Sequence, residues 1–253
     1  MTVPAPTRRA AAPAARRISA QVRMELVLTL RRGESVLLTF LIPVLILVFF
    51  TLVDVLPTDT EDPVDFLLPG VLALAVISAA MTGPAIATGF ERSTGVLKRL
   101  ALTPLARRDL IVAKMASVFV VEVLQLVVLL AVGLALGWRP SLGLGAAVVG
   151  MALATVGFVG LGLLMAGTLP ALTTLAAANA VYLVLLFLGG VVVPLDDLPG
   201  ALRLVARGLP SGALSDITHG ALSGTGTPGA AWLVLVFWAV AGPMAAARWF
   251  RWE

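Results

Sequence analysis

The chain has 253 residues, of which 59% are hydrophobic and 13% charged, with a mean hydropathy of +1.02. A soluble domain carries about 45–50% apolar and about 25% charged residues. This composition therefore excludes a disordered chain and argues against a water-soluble globular enzyme, because too little polar surface remains to cover the apolar mass. A spanning helix takes about 20 apolar residues, so the length accommodates about six spans with loops. There is no cysteine, hence no disulfide framework, thiolate metal site or cysteine nucleophile.

Residues 1–17 are rich in Ala, Pro and Arg and are expected to form a disordered basic tail that touches anionic lipid. Residues 18–33 predict a helix with a narrow polar stripe of Gln21, Glu25, Thr29 and Arg32, the rest being covered by Val22, Met24, Leu26, Val27, Leu28 and Leu30. That pattern suits a helix lying in the membrane interface; a plain extension of the first span is the alternative. The segment is not a secretory signal, since its apolar region starts late and runs long. The membrane domain proper is expected over 18–253. Its spans are predicted at 36–56, 66–90, 110–136, 142–168, 170–193 and 230–249, each apolar all round. Pro43, Pro69 and Pro84 fall inside spans, where neighbouring helices satisfy the freed carbonyls. Thr103-Pro104 and Thr227-Pro228 read as N-cap and first helical residue of the following helices, and Thr168-Leu169-Pro170 as a very tight turn. The expected class is all-α integral membrane, with an interfacial N-terminal helix and short re-entrant helices before the last span.

The basic residues fix the orientation. Arg8, Arg9, Arg16, Arg17, Arg23, Arg31 and Arg32 precede the first span. Arg92, Lys98, Arg99, Arg107, Arg108 and Lys114 follow the second, and Arg248 and Arg251 close the chain. Only Arg139, Arg203 and Arg207 fall on the other side, so both termini are expected to be cytoplasmic. The net charge of +4 and the pI of about 10.6 are thus a matter of topology and not of nucleic-acid binding.

Catalytic sets are sparse. The one histidine, His219, follows Asp216 by three residues, too few ligands for a metal. Ser211 and Ser215 lie nearby, but Gly-x-Ser-x-Gly does not occur. No Gly-x-x-x-x-Gly-Lys-Ser/Thr stretch occurs, so if ATP drives this chain another subunit supplies the site. Neither cofactor nor metal is expected. Within the predicted spans Glu122 stands out, with Gln125 three residues on along the same face. An acidic residue at the centre of a spanning helix costs about 2.5–3.5 kcal/mol on insertion scales. Two readings stay open: a substrate or proton contact, or an interhelical clamp with Asn179 or Tyr182 of the fifth span. The Gly133-x-x-x-Gly137 pair and Gly157, Gly160, Gly162 and Gly167 read as sites of close helix contact.

Two segments are more than loops. In 91–104, Val96, Leu97 and Leu100 make an apolar strip flanked by Glu91, Arg92, Lys98 and Arg99, a pattern suited to docking a soluble partner. In 193–222, a Pro- and Gly-punctuated stretch lies on the outer side and is placed to cap a pathway.

These segments resemble a known family. Phe66-Leu-Leu-Pro-Gly70, Phe90-Glu91-Arg92, Gly95-Val-Leu-Lys-Arg-Leu100 and Thr103-Pro104-Leu105 follow in order, and Gly189-Gly190 leads to Pro194-Leu195-Asp196-Asp197-Leu198-Pro199. The sequence is similar to permease subunits of type-2 ABC exporters, a class that includes bacterial drug-resistance and polysaccharide exporters; it departs at Val96, where the family often has threonine. The resemblance implies two permease copies, or a related pair, each docked to a cytoplasmic ATPase subunit in the bacterial plasma membrane. Glu91, Arg92, Gly95, Val96, Leu97, Leu100, Thr103 and Pro104 would form the coupling helix and its flanks, and 18–33 the connecting helix. Spans two and five would line the export path, with Glu122, Gln125, Asn179 and Tyr182 as candidate path residues. Pro194, Asp196, Asp197 and Pro199 would close the outer side. The cargo implied is amphiphilic or lipophilic: a drug, a lipid or a glycan-like molecule. A proton-coupled secondary transporter using Glu122 and a membrane-embedded lipid-modifying enzyme are the competing readings.

Overall fold

A computed structural model of the chain describes residues 12–31, 33–53, 63–140, 142–190, 195 and 198–251. Arg32, Pro194, Asp196 and Asp197 lie outside the described residues. Among those described, all regular structure is helical. The helices are α1 (Ala14–Arg31), α2 (Gly33–Leu52), α3 (Pro63–Ile77), α4 (Gly83–Ser93), α5 (Val96–Ala101) and α6 (Arg107–Ala135). They continue with α7 (Leu144–Thr168), α8 (Ala171–Leu188), α9 (Gly200–Gly208), α10 (Pro210–Leu222) and α11 (Gly229–Trp249).

Five helical stretches are long and apolar enough to cross a membrane: Pro63–Ser93, α6, α7, α8 and α11. The apolar stretch Thr39–Leu52 of α2 is the shorter sixth. The 63–93 span is one continuous rod in which α3 and α4 are joined by a π turn at Ser78–Thr82. Its cause is local. Pro84 has no N–H to donate and its ring crowds the carbonyl four residues back. The wider turn absorbs this, with the Gly83 N–H bonded to the Ser78 carbonyl.

The rod is the centre of the bundle. Leu67, Leu68, Val71, Leu72, Val76 and Ile77 are all buried, against α2, α6, α7 and α10. The closest helix pair is α7 with α11. A Cβ on Gly160 would fall 2.3 Å from the Gly242 carbonyl carbon, and one on Gly242 would fall 2.6 Å from the Gly157 oxygen. Backbones touch there because both faces lack side chains.

Helix starts differ slightly from those read in the sequence. Thr103 and Pro104 sit in the turn before α6 and are not its cap. The helix begins at Arg107, where Asp109 Oδ2 accepts the Ala106 N–H at 3.3 Å. Pro228, not Thr227, is the N-cap of α11, and Thr227 Oγ1 instead accepts from Trp232 Nε1 at 3.0 Å. The turn between α7 and α8 is as tight as Thr168-Leu169-Pro170 predicts, α7 ending at Thr168 and α8 starting at Ala171. α1 starts at Ala14, four residues before the predicted boundary at 18, because Arg17 is tied to α6 by Asp109 (Nη2–Oδ2, 2.8 Å).

Candidate functional site

Where α1, α4, α5 and the start of α6 meet, the polar stripe of α1 faces protein. Glu25 is buried, whereas Met24, Val27, Leu28 and Leu30 are exposed. The helix is inside out with respect to water, as expected for one whose outer face meets lipid. Glu25 is there because of Lys114, whose ammonium lies 3.0 Å from Glu25 Oε1 and 2.8 Å from Glu91 Oε2. Gln21, one turn before Glu25, donates to the same Oε1 at 2.8 Å. A lysine buried alone would be costly. Two carboxylates within contact distance offset the lost hydration and fix three elements to one point. The sequence treats Lys114 only as a marker of topology. The signal missed is a lysine inside an otherwise apolar run, which demands a buried anion.

The hairpin from α4 to α5 hangs from that cluster. The side chain of Thr94 and its N–H both bond the Phe90 carbonyl, closing α4. Gly95 follows with φ of +75°, the left-handed conformation that turns the chain into α5. Arg92 donates to the Leu169 carbonyl, tying α4 to the α7–α8 turn. α5 itself divides differently from the strip read in the sequence. Leu97 is fully buried against Leu110 and Phe250, with Leu100 and Leu105 at its margin. Its outward residues are Val96, Lys98, Arg99 and Leu102, the last 90% exposed, followed by Thr103 and Pro104. Leu97 is therefore the key that seats the short helix, and Leu102, which lies outside the apolar strip read in the sequence, is the most exposed apolar residue beside it.

Further along α6, Glu122 bonds Thr155 of α7, not Asn179 or Tyr182. Asn179 donates instead to the Leu175 carbonyl on its own helix, and Tyr182 packs at the margin of the main core. The rotation of α6 explains the change. Gln125 lies toward α2, donating to the Thr39 carbonyl at 2.8 Å, and Glu122 one turn earlier lies against α7.

A profile of ABC-2 type transporter membrane domains matches residues 16–213. The chain belongs to this family. No curated protein matches the sequence. The chain is therefore a multi-pass membrane protein and a permease component of an ABC transporter, and it is not itself the ATPase. The family implies partnership with an ABC ATPase.

At the far end of the permease, the Gly189-Gly190 motif brings α8 against α10. A Cβ on Gly189 would meet Ser211 Cβ at 2.8 Å. Gly190 has φ of +70° and accepts through its carbonyl from Ser215 Oγ at 3.0 Å. α10 is buried nearly throughout, with Leu214 and Ile217 in the main core. Pro199 is exposed as the N-cap of α9. His219 Nδ1 bonds Ser215, and its ring lies 5.4 Å from that of Phe66. Burial holds this imidazole below its ordinary value. Ser215 thus ties α10 to the end of α8, whereas His219 bonds within α10 and packs against Phe66.

Proposed function

We propose that this permease is the membrane subunit of an ATP-driven exporter that expels an amphiphilic or lipophilic molecule, with a cytoplasmic ATPase docked on α5. The observation that carries this reading is the construction of α5: buried Leu97 seats it on α6 and α11, while Val96, Lys98, Arg99 and Leu102 are displayed together. A charged and apolar surface of this kind suits a protein partner. A push on α5 reaches α4 through the Gly95 turn, and α1 and α6 through Glu91, Lys114 and Glu25. Both termini are then cytoplasmic, and α9 and α10 lie on the outer side. A second copy, or a related chain, is placed against α8, whose Leu172, Val181, Leu183, Val184 and Phe187 are uncovered in one subunit.

The test is affinity purification of the tagged permease from native membranes. Recovery of a P-loop ATPase supports the reading, and its reproducible absence overturns it. With the partner in hand, Gly95→Ala and Glu91→Gln are expected to reduce ATP hydrolysis and transport while leaving membrane insertion intact. Hydrolysis and transport that stay at the wild-type level in both would remove the docking role.

A further inference from the structure

Glu122 lies near the middle of the 29-residue α6. It lines a cavity of about 70 Å³ formed by α3, α6 and α7, with walls of Leu72, Val76, Phe119, Leu126 and Met151. That is room for more than one water. Val123 and Val148 also line it, and both are exposed on the outer faces of α6 and α7, so the cavity gives on to the surface that lipid covers.

The hydrogen bonds at its polar end place a proton. Thr155 Oγ1 contacts Oε2 of Glu122 and the Met151 carbonyl, the latter at 2.8 Å. A hydroxyl has one proton to give, and a carbonyl has none. Both contacts are satisfied when Thr155 donates to Met151 and the carboxyl group of Glu122 donates to Thr155. The other carboxyl oxygen, Oε1, is buried and has no hydrogen-bond partner. The result is a neutral acid with one open acceptor at the edge of a small cavity that faces lipid.

We propose that Glu122 binds the basic nitrogen of an amine-headed amphiphile that reaches it sideways from the bilayer. An uncharged primary amine partitions into hydrocarbon, its head is small enough for the cavity, and its alkyl tail remains between α6 and α7. On binding, the Oε2–H bond breaks and an N–H bond forms as the carboxyl group turns its proton to the nitrogen, leaving an ammonium–carboxylate pair. Thr155 then swings its own O–H from the Met151 carbonyl to Oε2, and the ammonium donates to Oε1, so no other reactant is needed. The attraction between the two charges, little screened at this depth, offsets the cost of forming them away from water. An alcohol of equal length offers Oε1 a hydrogen bond but accepts no proton from the acid. Only the description of the amine as cargo rests on the exporter reading; the binding site does not.

The experiment uses the full chain in lipid nanodiscs at neutral pH and infrared difference spectroscopy against Glu122→Gln, which keeps the side chain's shape. Wild type is expected to show a protonated-carboxyl band that the variant lacks. Dodecylamine is expected to abolish that band and raise a carboxylate band, while dodecanol shifts it without loss. Absence of the band in wild type, or its persistence at saturating dodecylamine, overturns the proposal and leaves a cavity that holds only water. No ATPase is present in this measurement, so its failure leaves the exporter reading intact. Failure to recover an ATPase from membranes likewise leaves the spectrum unchanged.

Discussion

Where α1, α4 and α6 meet, a buried lysine between two glutamates decides the packing; where α8 meets α10, glycines that admit a neighbouring helix decide it. The forces differ in reach. Attraction between charges falls off slowly with distance, so Lys114 holds Glu25 and Glu91 through small displacements. Steric contact at Gly189, or at Gly143, where a Cβ would stand 2.0 Å from the Ala221 carbonyl oxygen, tolerates almost none. The charged end can therefore keep its contacts through a small displacement, and the glycine end cannot.

Removing the lysine is the strongest way to break this contrast. Lys114→Met leaves two buried carboxylates without their cation and is expected to cost about 3–5 kcal/mol, read as a lower thermal midpoint in detergent. Adding Glu25→Gln to that variant should recover part of the loss. Additivity of the two changes would show that the pair is not coupled. Gly143→Ala overpacks the opposite end and is expected to cost about 1–3 kcal/mol, with no dependence on salt. Gly95→Ala forces a side chain into the left-handed region, at about 1–2 kcal/mol, confined to the α4–α5 hairpin. A hydrogen-exchange map should show the loss of protection there and not in α10. Leu102→Ser is expected to change stability by less than about 0.5 kcal/mol, as for an ordinary surface site, yet to weaken binding of the ATPase. A larger effect on stability than on binding would show that Leu102 packs inward and is not displayed.

The spans were legible because each is a long run of Leu, Val and Ala, which no other environment tolerates. The stripe of α1 was legible as a stripe, but composition alone does not say whether Glu25 faces water or a buried lysine. The Glu122 partner was beyond reach for a related reason. Which helix meets which face depends on rotation about the helix axis, and Thr155 is one of several hydroxyls at similar depth. Leu97 was read as displayed because a six-residue helix has too little periodicity to reveal its inner face; Phe250, which covers it, comes from the far end of the chain. Pro84 is legible only as a proline tolerated inside a span; the π turn that accommodates it, immediately before it, is not.

That break has a mechanical consequence. A π turn inserts one residue beyond the regular repeat, so the faces of α3 and α4 are out of step by about 100° relative to an uninterrupted helix of 3.6 residues per turn. α3 packs on α2, α6 and α10, and α4 on α8, while α7 runs along both. The span is thus two helical segments joined by a swivel at Ser78–Thr82. A twist applied to one need not turn the other through the same angle.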